Sequence, residues 1–97
     1  MNVALCRIHL RLHGVHSLKE KRQIGRSILK RVSDKFNVSI SEVEDNDLWQ
    51  RLTIGIACVS SDGRYANEVV SKVVSYVGER RYEIEVLDYE FEMIRGF

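Results

Sequence analysis

The chain of 97 residues contains no proline, only two cysteines and one tryptophan. Without proline, low-complexity tracts or any Gly/Ser-rich stretch, nothing in it reads as a linker, so one domain spanning residues 1–97 is expected. Cys6 and Cys58 are too few for a disulfide framework and lack metal-site spacing. Both fall among apolar strand residues, which predicts buried free thiols and a reducing, cytoplasmic setting. No apolar run approaches the ~18 residues of a membrane span. Residues 1–12 alternate polar and apolar side chains, with Arg7 inside the stretch, which argues against a secretory leader.

Catalytic signatures are also missing. No Ser-His-Asp, Cys-His or paired-carboxylate constellation stands out. His9 and His13 stand four residues apart on a predicted strand, about 13 Å from each other, and His13 and His16 straddle Gly14 without a second pair of ligands. The expectation is therefore a protein that is not an enzyme and has no metal or other cofactor.

What is present is charge, unevenly placed. The net charge of +1 conceals nine Lys or Arg against two acids in residues 1–37, and six against twelve in residues 38–97. Such asymmetry points to an anionic partner such as nucleic acid, or to pairing within the molecule.

The hydrophobic pattern gives six elements. Residues 3–12 alternate as a strand, with Ala4, Cys6, Ile8, Leu10 and Leu12 on one face and Arg7, His9 and Arg11 on the other. Ser17 and Glu20 have capping-box spacing and open a helix over 18–36. Its apolar side carries Leu18, Ile24, Ile28, Leu29, Val32 and Phe36. Residues 37–44 and 49–60 read as a hairpin turning at Asp45-Asn46-Asp47. A second helix starts near the cap Asp62, buries Ala66, Val69, Val70, Val73 and Val77, and has an end signal at Gly78. A last strand over 82–94 puts Leu87, Tyr89, Phe91 and Met93 on one face and Asp88, Glu90 and Glu92 on the other.

The order β-α-β-β-α-β is that of an α+β, ferredoxin-like domain: a four-stranded antiparallel sheet, strand order 4-1-3-2, with two helices on one face. In that arrangement the acids of the last strand lie across from Arg7, His9 and Arg11. Cys6 and Cys58 come near each other on the covered face.

Lys19, Arg22, Arg26 and Lys30 step by three and four residues along the first helix and form one stripe, flanked by Lys21, Arg31 and Lys35. Cations recurring over three turns can track a phosphate backbone. A solvated helix face and an acidic protein partner are the competing readings. The open sheet face lacks the aromatics on its first and third strands that base stacking needs. Cross-strand ion pairs or a homodimer interface account for it better. Trp49, with Arg51, marks the hairpin as a second candidate surface, for protein contacts or for local packing.

Four segments carry a family resemblance: Ser17-Leu18-Lys19-Glu20-Lys21-Arg22, Phe36-Asn37-Val38-Ser39, Asp47-Leu48-Trp49-Gln50-Arg51 and Ser60-Ser61-Asp62. In order and spacing the chain resembles the YlxP-like family of small bacterial proteins, a domain family of unknown function. The resemblance implies a ferredoxin-like fold and a bacterial cytosolic protein, often encoded among genes for translation and ribosome maturation. It thereby implies ribosomal or other structured RNA as a partner, but no catalytic residues. Acylphosphatases share the element order. Gly14-Val15 superficially matches their phosphate loop, but Leu18 stands where their arginine belongs.

Overall fold

The computed structural model describes residues 1–79 and 83–97. Its elements are β1 (Asn2–Leu12), α1 (Leu18–Lys35), β2 (Ser39–Glu44), β3 (Arg51–Ser60), α2 (Gly63–Glu79) and β4 (Ile84–Ile94). The four strands form one antiparallel sheet in the order β2-β3-β1-β4, the ferredoxin-like arrangement. The expected start of the last strand at Tyr82 lies outside the described residues. Among the described residues, no helix is long and apolar enough to cross a membrane.

Period-two alternation decides which face of β1 and β3 is covered. Ala4, Cys6, Ile8, Leu10 and Leu12 of β1 and Leu52, Ile54, Ile56 and Cys58 of β3 are buried beneath the helices. From α2 come Ala66, Val69, Val70, Val73 and Val77. This helix is rich in β-branched residues with modest intrinsic helix propensity, so burial of that stripe holds it in place. Cys6 stands opposite Ile56 and Ala4 opposite Cys58, so the two thiols are diagonal neighbours; both are free. Burial raises the pKa of each, and the Glu90 carboxylate adds to the effect at Cys6.

Two expectations are corrected. Gly78 does not end α2, which continues to Glu79. A Cβ there would stand in van der Waals contact with a methyl of Val86, 3.4 Å away. The face expected for β4 is also interrupted. A bulge between the His9–Asp88 and Leu10–Val86 pairs inserts Leu87 as an extra residue. One inserted residue reverses the side-chain phase, so Ile84 and Val86 share the helix side with Tyr89, Phe91 and Met93, across from Leu12, Leu10, Ile8, Cys6 and Ala4.

A second bulge lies in β2, where the pairing shifts between Glu42 and Glu44. Val43 lies over β3 at Gly55, where a Cβ would come within 2.7 Å of its Cγ1. Only glycine leaves that space.

Candidate nucleic-acid interface

The first turn of α1 is fixed by its cap. Ser17 Oγ accepts a hydrogen bond from the Glu20 amide at 3.1 Å. The Glu20 carboxylate reaches back to accept from the amide of His16 at 3.3 Å, one residue before the usual partner in a capping box. From this start, helical geometry places Lys19, Arg22, Arg26 and Lys30 along roughly 16 Å of helix. All four, and Arg31, are exposed. Among the described residues, Lys19, Arg22, Arg26 and Arg31 have no ion pair. Lys30 meets Asp34 at 3.2 Å, a solvent-exposed i,i+4 pair that contributes little stability. Lys35 turns toward α2 instead, with its ammonium 4.6 Å from the Tyr76 ring centre.

Lys21 must be removed from the expected phosphate-binding set. It is 1% exposed and lies inside the domain. Its ammonium lies 2.9 Å from Glu42 Oε2 and donates to the backbone carbonyl of Asp45. Glu42 Oε2 is out of line for a hydrogen bond, so charge holds that contact. The physical reason is phase: the buried positions of α1 are Lys21, Gly25, Ile28 and Val32, spaced by four, three and four. Lys21 is thus the first member of the buried stripe. That spacing was available in the sequence, and the cationic side chain concealed it.

The same contact brings the β2–β3 turn beside the first turn of α1. Asp45 adopts φ +63°, its carbonyl accepts from the Leu48 amide at 3.1 Å, and its carboxylate accepts from Thr53 Oγ1 at 2.7 Å. Beyond this turn, Trp49 is 50% exposed and Leu48 and Arg51 are exposed with it. The hairpin therefore presents Trp49 at the surface.

On the open sheet face, Arg7 forms a bidentate pair with Glu90, Nε to Oε1 at 3.0 Å and Nη2 to Oε2 at 2.6 Å. Its Nη1 donates to Glu44 at 2.7 Å. His9 Nε2 lies 2.6 Å from Glu90 Oε1, and His9 Nδ1 lies 3.4 Å from Thr53 Oγ1. These bonds hold the Glu90 carboxyl down to about 2, through the hydrogen bond from Arg7 first and that from His9 second, and they raise the guanidinium of Arg7. His13 Nε2 meets Glu85 at 2.7 Å. Much of the basic character of β1 is thus consumed by the acids of β4 and β2, whereas Lys19, Arg22, Arg26 and Arg31 of α1 have no ion pair among the described residues.

Residues 3–91 match the family model described as "Protein of unknown function (DUF503)". The chain is 44% identical over 66 residues to "Uncharacterized protein YlxP" of Bacillus subtilis (strain 168), covering 68% of this chain and 72% of that protein. With nearly the whole sheet and both helices inside the matched span, the chain belongs to the DUF503, YlxP-like family.

Proposed function

We propose that this is a non-enzymatic, cytoplasmic, RNA- or ribosome-associated accessory protein that binds phosphates through α1. The observation that carries the reading is the exposed, unpaired set Lys19, Arg22, Arg26 and Arg31 beside Lys30, on a helix with only two acids of its own. Contacts of this kind position a protein on a backbone without reading bases, so specificity comes from RNA shape or from a protein partner. With Lys19, Arg22, Arg26 and Lys30 each neutralising one phosphate, the logarithm of affinity falls against the logarithm of salt with a slope of about −3 to −4. Titration of ribosomal RNA fragments at several salt concentrations measures that slope. Reversing Arg22, Arg26 and Lys30 to Glu should abolish binding; unchanged RNA affinity in that variant rules the surface out.

A second reading, a protein-interaction or self-assembly module using the β2–β3 hairpin and the open sheet face, is favoured by the neighbouring exposure of Leu48 and Trp49. Under it, Trp49→Ala weakens association in sedimentation experiments and leaves RNA binding intact.

A further inference from the structure

The sheet has two free edges, and they are built differently. β2 is six residues long, contains two serines and is broken by the bulge at Val43, a combination that discourages pairing. β4 has eleven residues, pairs among the described residues only with β1, and runs without irregularity from Asp88 to Ile94. Alternate residues of this strand turn their N–H and C=O groups away from β1.

The two sides of β4 beyond that edge differ in chemistry. Toward the helices, Tyr89 and Phe91 remain 54% and 45% exposed, because α2 does not extend over them. They wall a groove of about 390 Å³ against Ser71, Val74 and Ser75 of α2. Toward the open face stand Asp88, Glu90 and Glu92. Glu90 is engaged by Arg7 and His9; Asp88 and Glu92 have no ion pair among the described residues, and Asp88 Oδ1 accepts from the Tyr89 amide at 2.8 Å.

We propose that the free edge of β4 takes up an extended segment of another protein in which Lys or Arg alternates with apolar side chains. β1 is the template, since it satisfies the opposite edge of β4 with that pattern: Arg7, His9 and Arg11 on one side, Ile8, Leu10 and Leu12 on the other. An incoming strand bonds to the main-chain groups that β1 leaves open, and draws the Asp88 carboxylate off the Tyr89 N–H that it now caps. Its cations meet Asp88 and Glu92 as Arg7 meets Glu90, and its apolar side chains enter the groove against Tyr89, Phe91 and Val74. A second copy of this chain fits poorly, because two β4 strands paired edge to edge set carboxylates opposite carboxylates. The site is separate from the cations of α1 and does not depend on the RNA reading.

The test uses the full chain and blocked seven-residue peptides, followed by amide NMR shifts and fluorescence anisotropy. A peptide alternating lysine and valine should bind, shifting resonances of β4 and α2, and one alternating glutamate and valine should bind at least about tenfold more weakly. N-methylating alternate amides of the lysine peptide blocks one of its edges, so one methylation phase should lose binding and the other retain it. Asp88→Lys with Glu92→Lys should transfer the preference to the glutamate peptide. The Arg22, Arg26 and Lys30 reversal should leave peptide binding unchanged. No binding by the lysine peptide, equal binding by the two charge patterns, or indifference to methylation phase overturns the proposal. So does a dimer of the free protein whose interface shields Tyr89.

Discussion

The two helices lie on the same sheet and carry opposite assignments. α2 buries one alanine and four valines against β1, β3 and β4, and its outer face balances Arg64 and Lys72 with Glu68 and Glu79. α1 buries Lys21, Gly25, Ile28 and Val32, a stripe with less apolar surface, and exposes six cations. Stability and surface chemistry are therefore divided between the helices. A helix that contributes less to the core can carry a dense like-charge stripe, because its attachment is reinforced at one end by the Lys21–Glu42–Asp45 contact and at the other by Phe36 packing edge-on to Tyr76 at 5.5 Å.

The division can be broken most severely from the α2 side. Val73 is fully buried, and Val73→Asp places an uncompensated charge in the core; a loss of roughly 3–5 kcal/mol is expected, enough to abolish cooperative urea unfolding in a domain this small. Lys21→Ala should come next, at about 2 kcal/mol, since Glu42 loses its partner but keeps some access to water. Replacing both residues, Lys21→Met with Glu42→Leu, should recover most of that loss in a double-mutant cycle.

A smaller effect belongs to the open face. The folded carboxyl of Glu90 is depressed to about 2 from its ordinary 4.5, so its contribution to stability is present above about 4.5 and is lost as pH falls toward 2. Glu90→Gln should flatten the acid limb of a stability-versus-pH curve over that interval. The smallest change is expected from the triple reversal of Arg22, Arg26 and Lys30 to Glu. Each site is exposed, and unfolding free energy should move by less than about 0.5 kcal/mol per site. A large loss of stability there would contradict the division between the helices.

Much of this organisation was legible in the sequence where one periodicity ran unbroken. The alternation in β1 and β3 and the valine stripe of α2 each gave the correct element and the correct buried face, and the Ser17 cap gave the correct start of α1. The failures came where an extra residue or an unusual side chain altered the phase. The adjacent apolar pair Val86-Leu87 marked the bulge in β4, but a strict period-two reading ran through it and left Ile84 and Val86 out of phase with Tyr89, Phe91 and Met93. Lys21 read as surface because lysine is rarely buried, although its spacing to Gly25 and Ile28 placed it inside. The cationic stripe itself was legible because exposed positions obey only helical geometry. The groove beside β4 was not, since it depends on how far α2 extends across the sheet.

The pairing of β1 has a consequence for how the chain reaches this state. β1 lies between β3 and β4, and Val3 faces Ile94 across the ladder. β1 therefore acquires its second neighbour only once β4, the far later of the two in the chain, has been made. Contacts between such distant segments carry a high loop-closure cost and slow folding relative to helical bundles of similar size. Until β4 docks, one edge of β1 remains open, and a nascent chain halted before residue 84 leaves His9 without Glu90 and Arg7 with Glu44 alone.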